Sequence, residues 1–173
     1  MRSLISGMAL AAGLALFASA ASAQTVYIVR HAEKASDTER DPVLSGAGIA
    51  RAEALAALFS EGTPDLIVVS PLQRTQLTAA PALEASGAFM VVSPLDDGVE
   101  AHVETIRQGV WALSEDTVVL IVGHSNTVPL IARALGYETL DMPECEYDRL
   151  IRLERRRGEV SGETRLFGVS TTC

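Results

Sequence analysis

Two of the three histidines in the chain follow apolar runs that are typical of buried strands. The pair Arg30-His31 comes directly after Val26-Tyr27-Ile28-Val29, and His124 follows the run at residues 117–123. Open α/β sheets bind ligands at the edge where their parallel strands end, so both imidazoles are expected at one site. A neutral imidazole can attack an electrophile and form a covalent intermediate. The adjoining arginine offers planar donors that suit an anion.

A third apolar run ends in another cation. Residues 66–69 are followed by Ser70-Pro71-Leu72-Gln73-Arg74. Two arginines and two imidazoles around one pocket suit a dianionic phosphoryl group, because arginine binds phosphate oxygens in a bidentate manner. Donors fixed around the transferring group also stabilise the charge of the transition state. The chain has no H-E-x-x-H motif and no paired-cysteine spacing, so neither a metal nor a cofactor is predicted.

Four segments around these residues carry a family resemblance. They are Arg30-His31-Ala32-Glu33, Leu44-Ser45-x-x-Gly48-x-x-Arg51-Ala52, Ser70-Pro71-x-x-Arg74-x-x-x-Thr78-Ala79 and Gly123-His124-Ser125. Together they resemble the histidine phosphatase superfamily, in its phosphoglycerate-mutase-like branch, and they occur in the family's order. One departure is Ala32, where the family commonly has glycine; its methyl group fits only if the backbone avoids positive φ.

The resemblance implies a role for each predicted site residue. His31 would be the nucleophile that becomes phosphohistidine, and Arg30 and Arg74 would bind the phosphoryl group. His124 would donate a hydrogen bond to that group. Because attack needs an unprotonated imidazole, the rate should fall as His31 protonates; the ordinary pKa of histidine is about 6.5, and neighbouring charges can shift it either way. Lys34 is expected to add positive charge at the pocket mouth.

The proton donor for the leaving group stays open. The family usually supplies a carboxylic acid after the third strand, where this chain has Asp96, Asp97 and Glu100. Glu33, beside the nucleophile, is a fourth candidate, and Asp97 and Glu100 rank ahead of Asp96. The remaining histidine, His102, matches no motif and is interpreted as an exposed helix residue.

Apolar runs alternate with amphipathic segments along the chain. Strands are predicted at residues 26–29, 66–69, 89–92 and 118–122, and helices at 45–58, capped by Ser45, and at 72–85, 100–113 and 126–135. This alternation predicts an α/β fold of three layers, in which helices cover both faces of a mostly parallel sheet. An antiparallel hairpin at residues 149–153 and 164–168, with its turn at 157–162, is expected to close the chain.

The two cysteines lie on either side of this predicted hairpin. Centred near Glu159 or Val160, the hairpin places Cys145 opposite Cys173, so a disulfide is expected at its base. The cluster Arg155-Arg156-Arg157 is interpreted as a solvated hairpin tip. The formal net charge of −8 argues against a nucleic-acid partner, whose binding depends on basic residues.

The N-terminal segment has the pattern of a secretory signal peptide. Arg2 precedes an apolar stretch at residues 8–17, and the small-residue run ends in Ala21-Ser22-Ala23. The apolar part is shorter than the roughly 20 residues needed to span a bilayer. We therefore expect cleavage after Ala23, one domain at residues 24–173, no stable membrane insertion, and a secreted or periplasmic protein.

The sequence thus predicts an exported, metal-independent phosphatase that hydrolyses phosphoric monoesters of small molecules through a phosphohistidine on His31. The alternative is a catalytically weak phosphate-binding protein on the same fold, since fold alone does not establish turnover. A serine hydrolase is disfavoured because Gly123-His124-Ser125-Asn126-Thr127 lacks the last glycine of the G-x-S-x-G motif and no histidine follows Ser125. The physiological substrate and the oligomeric state are left open.

Overall fold

The computed structural model describes residues 23–173, in which six strands and four helices follow one another along the chain. The predicted signal peptide, apart from Ala23, lies outside these residues. The strands are β1 (Gln24–Arg30), β2 (Leu66–Val69), β3 (Phe89–Val92), β4 (Val118–Gly123), β5 (Arg149–Arg156) and β6 (Glu159–Leu166). The helices are α1 (Gly46–Ala56), α2 (Gln73–Ser86), α3 (Val99–Trp111) and α4 (Val128–Ala134). None of the described helices is long and apolar enough to cross a membrane.

All six strands form one sheet in the order β3-β2-β4-β1-β5-β6. The first four in this order are mutually parallel, and β5 and β6 continue the sheet as an antiparallel hairpin. In the register of β1 and β4, Arg30 lies opposite Gly123, and Val122 lies opposite Val69 of β2. The predicted α/β class with a C-terminal hairpin is confirmed, and the ends of β1, β2 and β4 meet at one edge.

Side chains alternate between the two faces of the sheet and form a hydrophobic core on each. On one face, Ile106 of α3 and Ile131 of α4 pack with strand residues such as Ile121. On the other, Leu55 of α1 and Ala82 of α2 pack with a second set of strand residues. Both faces of the central strands are therefore buried, which explains why their sequences are continuously apolar.

The predicted disulfide is present. Cys145 and Cys173 are bonded, with their Cα atoms 5.4 Å apart. The hairpin turn lies earlier than predicted, because Arg156 pairs with Glu159 and leaves Arg157 and Gly158 at the tip, both at positive φ. The interpretation of the arginine cluster as wholly solvated is wrong for Arg155, whose guanidinium lies 4.5 Å from the centre of the Trp111 ring.

The interpretation of His102 as an exposed residue is wrong. Its exposed fraction is 2%, and its Nδ1 lies 2.9 Å from the Pro94 carbonyl oxygen and 3.2 Å from Ser93 Oγ. Because a carbonyl oxygen only accepts, Nδ1 donates to Pro94. His102, Ile106 and Val110 follow at intervals of four along α3, so one buried helical face carries all three.

Two glycines in the first turn of α1 have different surroundings. Ser45 caps the helix, with its Oγ accepting a hydrogen bond from Gly48 N at 3.1 Å. A Cβ atom at Gly48 would lie 2.3 Å from the carbonyl oxygen of Glu33, whereas one at Gly46 would meet nothing within 4 Å. Gly48 therefore allows α1 to approach the loop that carries His31.

We predict opposite effects for alanine at these two positions. Gly48→Ala should lower the free energy of unfolding by about 2 kcal/mol, since the backbone of Glu33 must move. Gly46→Ala, in the same helical turn, should be neutral or stabilising by up to about 1 kcal/mol, because alanine favours helix. Urea unfolding measures both, and equal effects of the two substitutions would contradict this account.

Candidate active site

The ends of β1, β2 and β4 open into a cleft of about 410 Å³. All four predicted site residues line it: Arg30, His31, Arg74 and His124. The two imidazole rings lie with their centres 5.3 Å apart. The backbone N–H of His31 donates to the Gly123 carbonyl at 2.9 Å, which extends the pairing of β1 and β4 to His31 itself. The structure therefore brings the predicted residues together.

The hydrogen bonding of His31 leaves one of its ring nitrogens basic. Nδ1 lies 2.8 Å from the Ala32 carbonyl oxygen, which only accepts, so Nδ1 carries the proton and Nε2 carries the lone pair. Burial lowers the pKa of His31, this hydrogen bond opposes the shift, and the nearby charges of Arg30 and Arg74 add to it, so that the pKa falls to about 3. The neutral imidazole is thus available as a nucleophile, and the rate loss on its protonation moves to acid pH.

His124 is also held neutral. Its Nε2 lies 2.9 Å from Ser70 Oγ, and its backbone N–H donates to Thr127 Oγ1 at 2.9 Å. Burial, together with His31 and Arg74, lowers the pKa of His124 to about 3. Its Nδ1 is buried and has no hydrogen-bond partner among the described residues. A buried polar atom of this kind is costly unless a ligand atom binds it.

Arg30 is the most enclosed cation of the cleft, with 2% of its surface exposed. Its Nη1 donates to three backbone carbonyls, those of Pro143 at 3.3 Å, Glu144 at 2.6 Å and Glu146 at 3.1 Å. The guanidinium also lies 4.1 Å from the centre of the Tyr147 ring. Its Nη2 donates to Glu144 Oε2 at 2.7 Å, and its buried Nε has no hydrogen-bond partner among the described residues.

Arg74 projects from the first turn of α2 toward the same cleft. Its Nη1 lies 3.4 Å from Asp41 Oδ1, and its buried Nε has no partner among the described residues. Lys34, predicted at the pocket mouth, lines the cleft and pairs with Asp37 at 2.8 Å. The positive charges converge as a phosphoryl site requires.

None of the four predicted proton donors lines the cleft. Asp96, Asp97 and Glu100 are exposed, although Leu95, Gly98 and Val99 of the same stretch of chain are lining residues. Glu33 points away, because its carboxylate accepts from Arg51 Nε at 3.0 Å and from Arg51 Nη2 at 2.7 Å. Ala32, by contrast, fits its position: it is buried, its φ is not positive, and its N–H donates to Thr78 Oγ1 at 2.9 Å.

The carboxylate that does line the cleft is Glu144, which sequence reasoning missed. Its Oε2 lies 2.7 Å from Arg30 Nη2, and its Oε1 accepts from Ser125 Oγ at 2.5 Å, while 79% of the side chain stays exposed. The Ser125 hydrogen bond and the charge of Arg30 hold the pKa of Glu144 below its usual value against the opposing effect of burial. No sequence motif includes Glu144, and its only distinctive neighbour in the sequence is Cys145.

The comparisons with known proteins agree with this geometry. Residues 26–102 match the family model of the histidine phosphatase superfamily (branch 1). The predicted resemblance is confirmed. A protein named as the phosphohistidine phosphatase SixA of Agrobacterium tumefaciens is 27% identical, with 84% of this chain and 97% of that chain covered and a TM-score of 0.53. None of the curated proteins matches this sequence.

Two further solved structures show the same fold at lower identity. The mycobacterial glucosyl-3-phosphoglycerate phosphatase is 18% identical, with 86% of this chain and 100% of that chain covered and a TM-score of 0.60. The alpha-ribazole phosphatase from Shigella flexneri is 18% identical, with coverage of 84% and 96% and a TM-score of 0.58. The match to the histidine phosphatase superfamily and the similarity to SixA support phosphatase activity.

The lowered pKa values of the two histidines predict how stability depends on pH. At pH 5 both are neutral in the folded protein, whereas an ordinary histidine of the unfolded chain is protonated below about 6.5. Unfolding therefore takes up protons between about pH 6.5 and 3, and the free energy of unfolding falls as the pH falls through this range.

We predict that His31→Asn removes about one proton from this uptake. The slope of the unfolding free energy near pH 5 should decrease by about 1.4 kcal/mol per pH unit relative to wild type. Urea unfolding at several pH values between 4.5 and 6 measures the slope. An unchanged slope would mean that His31 is protonated in the folded protein.

Proposed function

We propose that this protein is an exported phosphatase that hydrolyses phosphoric monoesters through a phosphohistidine on His31. The observation that carries the proposal is the hydrogen bond from His31 Nδ1 to the Ala32 carbonyl, which leaves the Nε2 lone pair in a cleft with two arginines. A nucleophile beside fixed phosphate-binding donors is the arrangement that covalent phosphoryl transfer requires.

The reaction would proceed in two displacements at phosphorus. Nε2 of His31 attacks in line, a P–N bond forms, and the P–O bond to the alcohol breaks with its electron pair on the leaving oxygen. Water then attacks the phosphohistidine, releases phosphate and restores the lone pair on Nε2. Arg30, Arg74 and His124 would stabilise the equatorial oxygens in both steps. The proposal assigns no step to a metal, and the described residues contain no cluster of histidine, cysteine or acidic side chains that could hold one.

Two features support the proposed export. Gln24, the first residue after the predicted cleavage site, begins β1 and is buried, with its Nε2 donating to the Val110 carbonyl at 2.9 Å. Cleavage after Ala23 would therefore spare every element of the described fold. The Cys145–Cys173 disulfide is the kind of bond that forms in an oxidising compartment such as the periplasm or the cell exterior.

The cleft suits a small substrate with a mixed polar and apolar leaving group. Leu72, Leu95 and Val99 lie on its walls, with Lys34 and Asn126 also lining it. SixA is named for phosphohistidine, in which the bond to phosphorus is P–N; a phosphoramidate therefore belongs beside phosphate monoesters in the substrate panel. The rival function, phosphate binding with little turnover, would leave no phosphate attached to the protein.

The decisive test compares the wild type with His31→Ala, using p-nitrophenyl phosphate. We expect steady-state turnover by the wild type and, after an alkaline quench that preserves a P–N bond, acid-labile phosphate on the protein. Both should disappear in His31→Ala, because the nucleophile is absent. Near-identical circular dichroism of the two proteins controls for folding.

Each alternative outcome has a distinct meaning. Turnover that survives in His31→Ala would refute His31 as the nucleophile. Phosphate binding by the wild type without turnover or labelling, across monoesters and a phosphoramidate, would favour the binding protein. Activity that is abolished by EDTA and restored by zinc would contradict the metal-independent route.

We also predict the role of Glu144 in the resting site. Its carboxylate holds a donor of Arg30 and would repel a phosphoryl dianion, so Glu144→Gln should lower KM for p-nitrophenyl phosphate and Ki for phosphate by about three- to tenfold. Asp97→Asn is the control, since it neutralises an exposed acid beside the cleft. If Glu144→Gln instead slows alkyl phosphates while sparing aryl phosphates, Glu144 is the leaving-group proton donor.

A further inference from the structure

The segment that holds Arg30 has no regular secondary structure of its own. Residues 143–147, here called the cradle segment, lie between α4 and β5 outside any helix or strand. Three of their carbonyls accept from Arg30 Nη1, and the Tyr147 ring covers the guanidinium. Such a loop keeps its shape only through contacts with other parts of the protein. The orientation of the Arg30 guanidinium therefore depends on the contacts that hold the cradle segment in place.

The C-terminal residues supply these contacts. Cys145, in the middle of the cradle segment, is bonded to Cys173. Directly after this segment, the Asp148 carboxylate accepts from the backbone N–H of Thr171 at 2.8 Å and from Thr171 Oγ1 at 2.6 Å. The N–H of Tyr147 donates to the same Thr171 Oγ1 at 3.4 Å. The chain terminus thus fastens the cradle segment at two points.

We propose that the Cys145–Cys173 disulfide and Thr171 are positioning residues for the phosphoryl-binding Arg30. None of the three lines the cleft, and they act through the carbonyls that hold the guanidinium. The inference rests on the proposed function, in which Arg30 binds the phosphoryl group. A small displacement of such a group weakens catalysis strongly, because the donors must meet the oxygens of the transferring group.

Contacts that only stabilise the fold would have a different effect. Their loss lowers the fraction of folded protein and the melting temperature but leaves KM unchanged for the molecules that remain folded. Loss of a positioning contact changes the affinity of the folded protein for phosphate. KM, kcat and the Kd of inorganic phosphate, measured well below the melting temperature, separate the two roles.

The test uses the full chain with the double substitution Cys145→Ser and Cys173→Ser, and separately Thr171→Val, which keeps the disulfide and the side-chain shape. Both proteins should show KM and phosphate Kd raised about tenfold, with kcat reduced less. Val160→Ala is the control: Val160 lies in β6 at the opposite end of the sheet, so it should lower the melting temperature without changing KM.

A double-substitution cycle with Arg30→Lys tests the route through Arg30. Lysine keeps the charge but lacks the fork that the carbonyls orient. In the Arg30→Lys background, removing the disulfide should change KM by less than about threefold, because coupled residues are not additive. Equal effects in both backgrounds would overturn the proposal.

The other possible results also distinguish the two roles. Variants that lose stability but keep the wild-type KM and phosphate Kd overturn the positioning role and leave the proposed function intact. If the cysteine-free protein does not fold, Thr171→Val decides alone. A wild type that neither hydrolyses p-nitrophenyl phosphate nor binds phosphate overturns the proposed function, and this inference with it.

Discussion

The site depends on the parallel register of β1 and β4. Arg30 lies opposite Gly123, and a histidine follows each of them, so this register brings His31 and His124 side by side. The His31 N–H continues the hydrogen bonding between the strands by donating to the Gly123 carbonyl. A slip of one residue would turn the side chains of β1 to the other face of the sheet and separate the two imidazoles. The hydrophobic cores on both faces oppose such a slip, since it would expose one set of buried side chains and bury the other wrongly. The packing of the two cores therefore fixes the relative positions of His31 and His124.

Burial disfavours charged side chains in the cleft, and its arginines and histidines differ in their response. Arg30 stays charged in the interior because backbone carbonyls and Glu144 surround it, although taking a guanidinium out of water is costly. His31 and His124 cannot both be charged 5.3 Å apart beside two arginines, and their lowered pKa values keep them neutral. The same burial that opposes protonation keeps the lone pair of His31 free for attack.

Local sequence signals predicted the fold well and the cleft only in part. The bounds of β2 and β3, the Ser45 cap and the disulfide were predictable, because apolar runs, capping residues and hairpin symmetry are local features. The burial of His102 could have been found from its spacing of four with Ile106. Glu144 could not, since its place beside Arg30 results from a loop whose path is set by long-range contacts. A similar limit applies to Asp96, Asp97 and Glu100: the stretch that carries them reaches the cleft, as predicted, but sequence does not show which of its side chains face the cleft.

The C-terminal segment supports the site from two sides. Beyond its contacts with the cradle segment, its residues Phe167 and Val169 accept hydrogen bonds from Arg51 at 3.0 and 2.8 Å. Arg51 in turn binds the carboxylate of Glu33, two residues after His31, so that Glu33 connects the loop of His31 to the C-terminal residues and faces away from the cleft. The loop that carries His31 and the segment that holds Arg30 are thus both attached to residues 167–173. Because none of residues 167–173 lines the cleft, we infer that they hold His31 and Arg30 in position from outside it.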